Sequence, residues 1–355
     1  MMILNLAGNE GRKTNRHRMT SFSAWKILNW RKRLTCLATV WLLLAMSANS
    51  AAFQASHDLV VTLKPDTASL SGTDRIRLVD CPQGILPIGL NPHIRIQSLQ
   101  VNGLPHAATT TSTGPAIDLS TVDCGAPIEV IIRYEGQFQD EAPLRPVNTD
   151  NPGYGVSGTI SPRGTLLLGG AGWYPAIAGA IETLHVRVEA PEGISAVTAG
   201  RSIGVTTTDG KTVSRWQIDP PAERLSLSAG RYVATASQAG NVPTTTYFLS
   251  DDQRLADTYL QATANYIALY ENQFGPYPFP KFAIVENFFP TGYGFPSYTL
   301  IGGRVLRLPF IVRTSLGHEI AHCWWGNGVR IDPTDGNWSE GLSSYVSEHE
   351  YQDMD

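Results

Sequence analysis

Charge is scarce in this chain. Asp, Glu, Lys and Arg make up 16% of its 355 residues, against about 25% in an average globular domain. Hydrophobic residues reach 42%, so the scarcity does not signal a disordered or nucleic-acid-coating protein. Cysteine is scarce too: there are four, too few for a disulfide-built scaffold of this length. Long apolar runs are missing. The longest, residues 34–46, falls short of the roughly 20 residues that span a bilayer as a helix. Repeats and low-complexity tracts are missing as well, which excludes solenoids and arrays.

The charge that is present is unevenly spread. Residues 1–52 hold eight Lys and Arg against one acid, Glu10. Taking that +7 from the total of -4 leaves -11 for the remainder, a poor match for phosphate backbones, so no nucleic-acid partner is expected. The layout at the N-terminus is that of a secretory signal peptide. Arg31-Lys32-Arg33 precedes the apolar run, and Ser47-Ala48-Asn49-Ser50-Ala51-Ala52 offers small residues for cleavage. The expectation is an exported protein, periplasmic or extracellular, beginning near Phe53 and keeping no stable membrane span once the leader is cleaved. A retained signal anchor is the alternative. In an oxidising compartment Cys81 and Cys124 become candidates for pairing. Cys323 reads as a small buried hydrophobe.

From residue 53 to 245 the signals are those of short strands. Stretches 58–63, 75–79, 94–101, 128–134, 184–189 and 212–218 are rich in β-branched residues. Asn102-Gly103, Glu192-Gly193, Asp209-Gly210 and Pro220-Pro221 separate them. This pattern predicts an antiparallel sandwich or barrel-like domain. The character changes near residue 246. Leu255, Tyr259, Ala262, Tyr266, Leu269 and Tyr270 recur at helical spacing over 254–274, and Gly275-Pro276 ends the run. A strand is expected at 282–286, a Gly/Pro turn at 292–297 and an edge strand at 298–301. Helices are expected at 314–327 and 339–350, the first closed by Gly326-Asn327-Gly328.

The first of those helices carries His318-Glu319-Ile320-Ala321-His322. Residues four apart share a helix face, so both imidazoles can reach one ion. Glu319 lies beside that face, placed to take a proton from a water the ion activates. Two neutral imidazoles and a carboxylate suit a single Zn2+ with an open fourth position. Glu340 opens the next helix after a short loop and becomes the third ligand. Three fixed residues recur by chance roughly once in 8,000 positions, so a chance motif needs weighing. The predicted helix around it and the carboxylate nearby lower the odds of a plain β-sandwich adhesion protein with an accidental match.

The run from His318 to Asn327, followed by Asn337-Trp338-Ser339-Glu340-Gly341-Leu342, resembles the zinc signature of the aminopeptidase N / leukotriene hydrolase family. Tyr270-Glu271-Asn272-Gln273-Phe274-Gly275-Pro276-Tyr277-Pro278 is similar to the helix end before that family's substrate-edge strand. Trp173-Tyr174-Pro175 and Leu225-Ser226-Leu227-Ser228-Ala229-Gly230 are similar to stretches of its N-terminal β domain. The resemblance implies a β plus α+β architecture: a saddle-like β domain over 53–245, then a partial thermolysin-like catalytic domain over 246–355. It assigns His318, His322 and Glu340 to the metal and Glu319 to the base. It implies a peptidase, aminopeptidase-like, acting on a peptide substrate.

Three departures qualify the resemblance. The gap from His322 to Glu340 is one residue shorter than is usual in the family. The family's Gly-Ala-Met-Glu-Asn stretch is replaced by Gly292-Tyr293-Gly294-Phe295-Pro296-Ser297. Gly292, Tyr293 and Gly294 can still bind a peptide by strand addition, but the carboxylate that pairs with a free α-amino group is gone. Glu286 lies upstream and reads as a strand-end charge. Finally, no residue here matches the family's transition-state tyrosine, and Tyr345 reads as packing. The chain therefore resembles a C-terminally truncated relative whose missing segment is a further partner. An alternative function is a zinc-bearing module that binds peptides without turnover.

Overall fold

The structure is a computed structural model. It describes residues 53–80, 82–143, 155–219, 224–332, 334 and 336–353. The leader expected over 1–52 lies outside the described residues. So does Cys81, and with it the Cys81–Cys124 pairing.

The N-terminal layer is an eight-stranded sheet. Its long members are β1 (Phe53–Lys64), β2 (Ser69–Val79), β3 (Arg95–Val101), β4 (Ile128–Gln137), β5 (Ala180–Pro191), β6 (Arg201–Thr208) and β7 (Lys211–Ile218). The order is β6-β7-β5-β1-β2-β4-β3, with Leu104–His106 at the far edge. Every pairing is antiparallel except β1 with β5. Strict alternation drives it: Phe53, Ala55, His57, Leu59, Val61 and Leu63 face inward along β1 while the residues between them face out. His57 is polar in that apolar row. Its Nδ1 lies 2.8 Å from Asp74 on β2 and its Nε2 3.4 Å from Glu182 on β5. Burial alone would lower the pKa of His57. The charges and hydrogen bonds of Asp74 and Glu182 outweigh burial and raise it to about 10. One imidazole thus ties three strands together.

The second layer is a five-stranded sheet. It comprises β8 (Val233–Ala239), β9 (Val242–Phe248), β10 (Phe282–Asn287), β11 (Gly292–Phe295) and β12 (Tyr298–Gly302), in the order β8-β9-β10-β12-β11. Strands β9, β10 and β12 are parallel; β8 and β11 close the two edges antiparallel. The expected edge strand at 298–301 is therefore interior. The edge is β11, in the stretch expected to be a turn. Glycine and proline disguise it, because both are depleted in strands.

All six residues of β10 are buried, as in a strand covered on both faces. Ala283 and Val285 join the core of the N-terminal layer. Phe282 and Ile284 join a second core under the helices. A boundary at residue 245 falls inside β9, so the five-stranded sheet draws on both sides of it. Helix α1 (Gln253–Phe274) is capped by Asp252, whose side chain accepts from the Leu255 amide, 3.1 Å away. Its buried face carries Ala256, Tyr259, Thr263, Tyr266, Ile267 and Tyr270. Helices α2 (Ser315–Ala321) and α3 (Trp338–Asp353) complete the layer. Among the described residues no helix is long and apolar enough to cross a membrane.

Candidate metal centre and its edge strand

Helix α2 is shorter than the expected 314–327. His322 is its C-cap, and the chain then turns away. Gly326, at φ 107°, makes the turn. A Cβ on Gly326 would lie 3.1 Å from Ser339 Oγ, so a side chain there would crowd the start of α3. Three phenols of α1 fix the approach to α2. Tyr259, Tyr266 and Tyr270 donate to the carbonyls of Leu306, Arg313 and Gly317 at 2.7, 3.0 and 3.1 Å. Trp324 Nε1 donates to Gly275 O at 3.1 Å and ties the far end of the motif to the end of α1. The tyrosines were visible in the sequence as a helix face. Their hydroxyl partners, each 47 residues downstream, were not.

The three expected ligands converge. His318 Nε2 and His322 Nε2 are 3.0 Å apart. Glu340 places its carboxylate oxygens 3.3 Å from His318 Nε2 and 3.5 Å from His322 Nε2. Donors about 2.0–2.1 Å from one tetrahedral ion sit roughly 3.3 Å from one another, so this set fits a zinc ion. The imidazoles are also oriented for it. His322 Nδ1 donates to Trp325 O at 3.1 Å, with Ser343 Oγ at 3.2 Å, which leaves the Nε2 lone pair facing the cluster. Ser344 Oγ lies 3.4 Å from His318 Nδ1. Burial, and then the neighbouring His322, lower the pKa of His318 and favour the neutral form a ligand needs. Glu340, Ser343 and Ser344 occupy i, i+3 and i+4 of α3, so one helix face carries the candidate ligand and the two hydroxyls beside the imidazoles. Sequence reasoning missed the serines, although that spacing from Glu340 points to them.

Glu319 points to β11. A Cβ on Gly294 would lie 2.7 Å from Glu319 Oε2, and one on Gly292 3.7 Å from Oε1. Both glycines therefore border the carboxyl group, and Tyr293 sits between them. Burial, and then the charge of Glu340, push the pKa of Glu319 up to about 8. The outer edge of β11 carries no further strand among the described residues. Asn327 Nδ2 donates to Gly294 O at 3.4 Å.

Two cavities flank this line. One, of about 360 Å³, opens on His318 and Glu319 and is lined by Ser315, Ser344, Ser347 and Glu348. The other, of about 380 Å³, lies beside Gly294, Phe295 and Asn327 and reaches Ile218 and Leu225 of the N-terminal layer.

Other expected residues fall elsewhere. Glu286 is buried and accepts from Arg307 Nη1 at 2.6 Å and the Leu249 amide at 2.8 Å, a structural tie. Tyr345 is 65% exposed, so it is not the packing residue expected. Cys323 is buried as expected, 3.4 Å from the Tyr277 hydroxyl, and burial pushes its thiol up to about 12.

No protein-family model and no curated protein matches the sequence. Solved structures do match in fold. An M1 zinc metallopeptidase from Deinococcus radiodurans superposes with a TM-score of 0.63 at 20% identity, over 83% of this chain and 69% of that one. A variant of the M1 zinc metallopeptidase from the same organism, bound to a Tyr-Ser-Ala substrate, gives 0.62 at the same identity and coverage. A two-domain M1 zinc metallopeptidase variant bound to L-arginine gives 0.63 at 20% identity, again over 83% and 69%. At this identity the likeness establishes the fold alone: a β-rich N-terminal part followed by helices, as in those structures.

Proposed function

We propose that the protein is a zinc-dependent metallopeptidase that hydrolyses extended peptides laid along β11. One observation carries this reading. The His318–His322–Glu340 cluster closes to 3.0–3.5 Å beside an edge strand whose two glycines border Glu319. Zinc, when bound, would polarise the scissile carbonyl and acidify water.

The chain's own residues supply the rest. The free edge of β11 offers backbone donors and acceptors to a peptide, which fixes its direction and register. Gly292 and Gly294 bring that peptide close to Glu319. Glu319 takes the proton of the attacking water and returns it to the leaving amine. Ser343, Ser344 and the Trp325 carbonyl hold the imidazoles in place. No carboxylate stands in the stretch 292–297 to pair with a free α-amino group, so peptides with blocked amino termini are also proposed as substrates. The leader expected over 1–52 carries the proposal that the protein is exported.

The test is hydrolysis of free and N-acetylated peptides, with a chelator and with zinc restored. Chelator-sensitive cleavage, lost in Glu319→Gln at unchanged zinc content, is the expected outcome. Peptide binding without turnover would support the zinc-bearing binding module instead.

A further inference from the structure

Lys281 immediately precedes β10 and is buried, with 6% of its surface exposed. Its ammonium faces no carboxylate among the described residues. Nζ donates to Ser297 O and to Ser297 Oγ, both at 3.0 Å. It also sits 5.1 Å from the Trp216 ring centroid on β7 and 5.4 Å from that of Tyr298. Its backbone carbonyl accepts from the Tyr277 hydroxyl at 3.0 Å, and that hydroxyl lies 3.4 Å from Cys323, the neighbour of His322.

The group Lys281 holds is strained. Pro296 and Ser297 form the two-residue turn between Phe295 and Tyr298, which pair across β11 and β12. Ser297 is fully buried and has φ 70°, a conformation that favours glycine. Proline first and positive φ second is the pattern of a type II turn. That turn splays a hairpin instead of following its twist, so outside contacts must hold it. Ser297 has three. Its carbonyl accepts from Lys281 Nζ and from the Ala283 amide at 3.1 Å, and its hydroxyl accepts from the Gly200 amide at 3.1 Å. The turn is thereby joined to β10, to the N-terminal layer and to the end of the metal-binding motif.

We propose that Lys281 is a positioning residue whose ammonium locks the Ser297 turn and so sets the distance between β11 and Glu319. Its consequence for catalysis rests on the peptidase reading above; the lock itself does not.

Lys281→Met keeps the aliphatic stem and removes the ammonium. Burial pulls the Lys281 pKa down to about 7. The charged form therefore costs stability at and below neutral pH, and the cost fades as pH rises toward 10.5. Methionine removes that cost, so a purely structural role predicts raised stability at and below neutral pH and unchanged activity. The proposal predicts more. Amide hydrogen exchange over 292–297 should quicken about tenfold in the variant, while α1 and β1 exchange as before. Zinc content should stay the same, and kcat/KM should fall about 10–100-fold, most of it through KM. Adding Ser297→Gly should restore part of the loss, because glycine adopts the turn without a lock. Ser297→Ala, which keeps Lys281 but removes its hydroxyl partner, should quicken the same amides and serves if Lys281→Met does not fold.

Unchanged exchange over 292–297 in a folded variant would overturn the proposal. Faster exchange with no hydrolysis by any form, the unaltered chain included, would uphold the lock and sink the peptidase reading alone.

Discussion

Gly294 has no side chain where Glu319 needs room. An alanine Cβ there would sit 2.7 Å from Glu319 Oε2 and 3.2 Å from His322 Cβ. The carboxylate is the movable partner, so Gly294→Ala should displace the base and leave the fold standing. Zinc content should hold while kcat falls about 100-fold, the usual effect of roughly 1 Å of misplacement. His57 is a second residue with a sharp expectation. Its removal leaves Asp74 and Glu182 buried without their cation, so His57→Ala should cost about 3–5 kcal/mol in denaturant unfolding. The convergence of His318 and His322 was readable from spacing, because helix geometry fixes where i and i+4 point; that of Glu340 rested on the short loop before it and on the resemblance. Lys281, Asp74 and Glu182 were not, because their partners lie 16, 17 and 125 residues away and no local pattern encodes them.

At the scale of elements, α1 serves as the mount for α2. A Cβ on Gly317 would meet the Tyr266 ring at 2.7 Å, a rigid group that cannot swing aside. Alanine gains about 1 kcal/mol of helix propensity over glycine, and overpacking costs about 1–3 kcal/mol, so the clash wins. Gly317→Ala should therefore lower the thermal midpoint and also weaken zinc retention, since His318 is the next residue. Helix α1 was legible to within a residue, and α3 to within three. The short elements were not. Helix α2 ends at Ala321 because Gly326 must turn the chain under α3, and β11 is a strand only because β12 pairs with it. Tertiary contacts decide both, and local propensity argues against the second.

At the scale of the molecule, two cores share one sheet. Strand β10 gives alternate residues to the N-terminal layer and to the helices, and the β11 edge of the same sheet lies against Glu319. The sequence change near residue 246 marks where helices begin, and the sheet crosses it. The whole arrangement brings three candidate ligands, His318, His322 and Glu340, from two helices to one point beside that edge. Zinc per purified chain, by elemental analysis, with Glu340→Ala measured beside it, tests this most directly. About one zinc per chain, largely lost in the variant, is the expected result. No zinc in the unaltered chain, or equal zinc in both proteins, would contradict it.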